Sequence, residues 1–207
     1  MRTNLVVVAC VAIAVLTGCH RADDQRDAVV TPPMPTKEKA EALEQNAAAG
    51  NKTVPSTAEI IKAPEAQALD PNGAKPLDDA LTCLARSIYW EARGESPAAM
   101  ESVANVVMNR LSQDGFPHTV CEVVRQGNEQ GNCQFSWWCD GRSDHALEDE
   151  SYAIAKEIAR KALNLQLTDR TGGALYFHER KATPGWAARY VKTAEVGDFV
   201  FYKPGEG

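Results

Sequence analysis

No aromatic residue precedes Tyr89, and all 14 lie between it and Tyr202. A core is built from large apolar side chains, so this absence places the start of the folded part close to residue 78. Basic charge is also short: 22 Lys and Arg stand against 28 Asp and Glu, for a net charge of −6. With no basic stripe, nucleic acid is not an expected partner. Neither a Cys-x-x-Cys nor a paired-His spacing occurs, so no metal site is expected, and no cofactor motif is found. The one long apolar run, Leu5 to Leu16, is too short to span a membrane as a mature helix. There is no internal repeat.

What is present at the N-terminus is Arg2, that apolar run, and then Leu16-Thr17-Gly18-Cys19. The arrangement is a signal-peptide pattern that resembles a bacterial lipoprotein box. It implies residues 1–18 as a cleaved signal and Cys19 as the lipidated residue, with the membrane as a partner through the acyl chains. In a Gram-negative cell, His20 rather than Asp after the cysteine favours an outer-membrane, periplasm-facing location over the inner membrane. Residues 19–78 carry Ala, Glu, Pro, Lys, Gln and Asn and no aromatic residue. Such a composition offers little to bury against its ordering entropy, and it reads as a flexible linker with a frayed helix near residues 37–49.

The folded part, residues 79–204, opens with Leu81, Leu84, Ala85, Ile88 and Ala92 at helical spacing. This predicts a helix over residues 79–93, with Asp78 or Asp79 as N-cap and Gly94 as its stop. Glu91 falls on it at the border of the apolar stripe. A carboxylate there is half-desolvated, which favours its neutral, proton-donating form. The competing reading is a solvated Glu paired with Arg93 or Arg86.

Ser96-Pro97 predicts a second helix, through Met100, Val103, Val107 and Leu111 to Asp114-Gly115. Thr119 caps a short third one. Residues 128–144 form an irregular stretch, and a loop of that length in a compact domain is usually functional. Its adjacent Trp137 and Trp138 cannot both point inward if the backbone is extended, and an exposed indole suits stacking on a sugar ring. Ser143 or Asp144 is expected to cap a longer helix through Tyr152, Ile158 and Leu163. Residues 174–178, 190–195 and 198–202 then read as strands. The fold class is α+β, helices first and a short antiparallel sheet last.

Five blocks in order carry a family resemblance. They are Ile88 to Glu95, the following Ala/Val/Asn-Arg helix, Phe116-Pro117-x-Thr119-Val120, Cys133-Gln134-Phe135-Ser136-Trp137, and Gly172-Gly173-Ala174-Leu175-Tyr176-Phe177. Together they resemble the SleB-type cell wall hydrolases, over about residues 81–202. The resemblance implies a small lysozyme-like domain that cleaves the MurNAc–GlcNAc β-1,4 bond of peptidoglycan, with Glu91 as the catalytic acid. Peptidoglycan glycan strands are then the partner. Lytic transglycosylases manage with one Glu, because the MurNAc 6-hydroxyl attacks internally and leaves a 1,6-anhydro product. Plain hydrolysis needs a second carboxylate. Glu95 is one choice, although it is expected rather to serve the start of the next helix; Asp140 and Asp144 are others.

Gln134, Phe135, Ser136 and Trp137 are expected to line the sugar cleft, bordered by Tyr176 and His178 on one face of their strand. With Cys10 in the signal and Cys19 lipidated, Cys83, Cys121, Cys133 and Cys139 remain. An even remainder in an exported domain points to two disulfides with three possible connectivities, of which Cys133–Cys139 and Cys83–Cys121 are favoured. A tethered, catalytically idle peptidoglycan-binding lipoprotein stays open beside the enzyme.

Overall fold

A computed structural model describes residues 33–127 and 133–205. The signal peptide, Cys19 and the start of the 128–144 loop lie outside the described residues. Six helices come first: α1 Thr36–Ala48, α2 Ala63–Leu69, α3 Ala80–Ala92, α4 Pro97–Leu111, α5 Val120–Arg125 and α6 Asp149–Leu163. Three strands follow, β1 Tyr176–Glu179, β2 Tyr190–Val196 and β3 Phe199–Pro204, in an antiparallel sheet of order β1-β3-β2. This is the α+β arrangement expected.

Local chemistry sets the helix starts. Asp79 accepts from the Thr82 amide at 2.8 Å, Ser96 from Ala99 at 3.3 Å and Thr119 from Glu122 at 3.3 Å. Each occupies an amide that its helix cannot bond internally. The central element is α3, packed against α1, α4, α5 and α6. Its Leu81, Leu84, Ala85, Ile88 and Ala92 are all buried. Cys83 bonds Cys121, tying α3 to α5, and Cys133 bonds Cys139 within the loop. Both are the favoured pairings.

The flexible reading of residues 19–78 does not hold from Pro33 onward. Ala40, Leu43 and Ala47 put one face of α1 into the core, and Ile61 is fully buried. Polar groups finish the seam. Glu44 accepts from the Val120 amide at 2.8 Å, adding a second acceptor at the start of α5. The Asn164 side chain clasps Ile61, accepting from its amide at 3.0 Å and donating to its carbonyl at 2.8 Å. Small side chains fill the space against a core whose aromatic rings come from elsewhere, so the lack of aromatics in this segment did not make it loose.

Helix α6 also starts later than expected, at Asp149, and its N-cap Glu148 makes no side-chain cap. The Asp144 carbonyl is taken by Arg86 and by Trp90 Nε1, and the Ala146 amide donates to Gly73. With those groups held by other elements, residues 144–146 form a strap over α3 instead of a first turn.

Candidate active site

Glu91 sits on the last turn of α3, just before the chain leaves through Gly94, whose φ of +85° favours glycine. The sheet returns to this helix end. Gly197, at φ +56°, makes the β2–β3 turn, and a Cβ there would come within 2.9 Å of Ala99 Cβ. That close approach brings Asp198 and Phe199 beside Glu91. The result is a cleft of about 580 Å³ whose carboxylates are Glu91, Glu95, Glu179 and Asp198 and whose cations are Arg93, Arg180 and Lys181.

The cations are already engaged. Arg93 stacks over Trp90, 4.8 Å from the ring centre, and donates to Glu148 at 2.7 Å. Arg180 binds Glu195 at 2.6 Å and the Gly197 carbonyl at 2.8 Å. Lys181 pairs with Glu179 at 2.6 Å. Arg86, the other partner considered for Glu91, is held by Asp70 at 2.7 Å. Glu91 therefore has no ion-pair partner among the described residues. Burial, helped by the charge of Glu179, pushes its carboxyl up to about 7. A group of that kind is protonated for much of the time near neutral pH and can return to the same form after giving its proton away.

The structure gathers only part of the expected site. Glu95 lines the cleft, and Ser96, not Glu95, caps α4. The other expected residues do not line it. Phe135 and Trp137 are core: Phe135 is fully buried against Phe177. Gln134 and Ser136 stay with their loop. Asp140 holds a turn through the Arg142 amide, and Asp144 belongs to the strap. Tyr176 and His178 share the face of β1 opposite Phe177. There they join an aromatic cluster, Tyr176 stacking on Tyr190 at 4.7 Å and His178 on Tyr202 at 5.3 Å.

Sequence reasoning missed Glu179, and strand parity carried the signal. Once Phe177 is taken as the core residue, Glu179, two positions on, shares its face and meets the helix end.

Residues 94–202 match the Cell Wall Hydrolase family, more than half of the 207-residue chain. The chain belongs to the cell wall hydrolase family. The matched stretch begins three positions after Glu91 and takes in Glu95, Glu179 and Asp198. The chain is similar to a spore cortex-lytic enzyme of Bacillus cereus, 30% identical over 151 residues, covering 71% of this chain and 52% of that protein. It is similar to another from Halalkalibacterium halodurans, 32% identical over 125 residues, 60% of this chain and 34% of the relative. The chain thus spans about half, or less, of the length of these relatives. Among solved structures, the catalytic domain of the germination-specific lytic transglycosylase SleB from Bacillus anthracis superposes with a TM-score of 0.50 at 28% identity, covering 62% of this chain and all of that domain.

Proposed function

We propose that this cell wall hydrolase cleaves the MurNAc–GlcNAc β-1,4 bond of peptidoglycan as a lytic transglycosylase, with Glu91 as general acid and then base. Glu91 protonates the leaving glycosidic oxygen. It then takes the proton of the MurNAc 6-hydroxyl as that oxygen closes on the anomeric carbon, giving the 1,6-anhydro product without consuming water. An internal nucleophile has a high effective concentration and needs no separate base. The observation that carries this reading is the unpaired, desolvated carboxyl of Glu91 at the cleft wall, raised to about 7.

A specific observation favours a second reading. Glu179 lines the same cleft and is close enough for its charge to act on Glu91, so a water could be activated there and the product be a reducing-end MurNAc.

Two disulfides suit an oxidising, exported setting. The lipid-anchor reading of Cys19 would hold the enzyme at a membrane facing the peptidoglycan layer, in the outer membrane on the His20 reading.

The test is incubation of residues 33–207 with purified peptidoglycan, followed by mass spectrometry of the soluble fragments, with Glu91→Gln alongside. Anhydro-muropeptides from the parent alone are expected. Reducing-end products from the parent would favour the water route. Binding without fragments from either protein would leave a tethered binder and remove the enzyme reading.

A further inference from the structure

The adjacent tryptophans part company. Trp137 is buried, whereas Trp138 keeps part of its indole open. That open part faces a second cavity, of about 360 Å³, which shares no lining residue with the Glu91 cleft. One backbone oxygen links the two linings. The Asp144 carbonyl accepts from Trp90, which lines the cleft, and from Arg86, which lines the cavity.

The second cavity has a different charge character. Arg125 lies over Trp138, 4.7 Å from the ring centre, and donates to the Leu77 carbonyl. Its Nε is buried with no acceptor among the described residues. Lys75 uses its backbone amide on Asp70 and leaves its ammonium exposed at the rim. The charge of Arg86 is matched by Asp70. The lining holds one acidic side chain, Asp144, whose pKa is raised by burial and by Asp140 against the opposing pull of Arg86 and His145. An indole wall beside two cations, with the Ser143 hydroxyl at the edge, suits a sugar that carries a carboxylate.

Building on the glycan-cleaving reading of Glu91, we infer that the cavity of Trp138, Arg125 and Lys75 is a distal subsite that holds a carboxylate of the same glycan strand. Two groups offer that chemistry: the lactyl carboxylate of a muramic acid freed of its peptide, and a carboxylate of the stem peptide itself. In a stem-bearing strand the lactyl group is an amide and carries no charge, so the two sources can be separated.

The experiment measures binding of soluble glycan strands to the full chain carrying Glu91→Gln, at low salt, with and without Lys75→Glu. Arg125→Ala would break a bond that holds Leu77 and endanger the fold. Lys75 is exposed and its side chain makes no such bond, so its reversal tests charge alone. Three strands are compared: stem-free, stem-bearing, and stem-free with the carboxylates amidated.

Reversal is expected to weaken binding of a carboxylate-bearing strand roughly fivefold, by loss of one solvent-exposed attraction and gain of a repulsion. The gap should close on the amidated strand. Loss confined to stem-free strands assigns the lactyl group; loss confined to stem-bearing strands assigns the peptide. Equal binding with and without Lys75→Glu on both charged strands overturns the subsite. Should the chain with Glu91 intact release no fragments while the Lys75-dependent binding persists, the subsite stands and the cleavage reading falls.

Discussion

Glu179 shares the face of β1 that carries Phe177 and, half exposed at the cleft, presents its negative charge to Glu91 at the end of α3. Removing that charge should let Glu91 ionise more easily. In Glu179→Gln the carboxyl of Glu91 falls below about 7, and Lys181, released from its 2.6 Å pair, adds a pull in the same direction. The alkaline limb of the kcat profile should therefore move to lower pH. On the anhydro route the rate at pH 5 survives the change. On the water route it collapses at every pH, by about 100-fold or more, because a general base has gone. A pH–rate series on the one variant distinguishes them.

Replacing Glu91 by Gln should lower turnover by about 100- to 10,000-fold, the usual worth of a general acid. Stability should move the other way. A carboxyl raised from 4.5 to about 7 favours the folded state fully below pH 4.5, and that advantage is lost as pH rises through 7. Gln has no charge to desolvate and loses nothing. The stability of Glu91→Gln relative to the parent should thus improve between pH 4.5 and 8 by at most about 3 kcal/mol, less where water screens the cleft mouth. Denaturant unfolding at the two pH values measures it.

What was legible in the sequence was local. Asp79, Ser96 and Thr119 cap their helices by bonding amides three residues on, a relation contained in the spacing. Phe177 and Tyr176 separate by strand parity, and the even cysteine count points to two disulfides without choosing among their three connectivities. The failures were relations between distant segments. Nothing near residues 144–146 says that Arg86 and Trp90 will hold them. Nothing near Glu179 says that its strand will return to the end of α3. The aromatics of the Gln134 to Trp137 block suit stacking on sugars, yet Phe135 and Trp137 are in the core, because nothing within the block says which elements will cover it.

The segment ahead of α3 should prove part of the folding unit. Asn164→Ala strands the buried Ile61 amide and leaves its carbonyl only the 3.2 Å bond from Arg160, and should destabilise by about 1–3 kcal/mol. Leu43→Ala empties a fully packed site on α1 and should cost about 2–5 kcal/mol. Urea midpoints measure both. If residues 33–78 were a loose tether, neither midpoint would move.

The two disulfides should differ in what they contribute, because they close loops of different size. Cys83 and Cys121 are 38 residues apart, whereas Cys133 and Cys139 are separated by 6. In the chain-entropy view, the longer closure removes more freedom from the unfolded state, about 4 kcal/mol against about 2. The longer bridge also joins α3, which carries Glu91, to α5, which carries Arg125. Replacing Cys83 and Cys121 together by Ala should lower the unfolding midpoint more than replacing Cys133 and Cys139. The short bridge instead closes the loop that bears Trp137 and Trp138. Its loss should leave cleavage at Glu91 near the parent rate and weaken binding of carboxylate-bearing strands, since the Trp138 wall would no longer be held against Arg125. Midpoints, cleavage rates and strand affinities on the two double variants check all three parts.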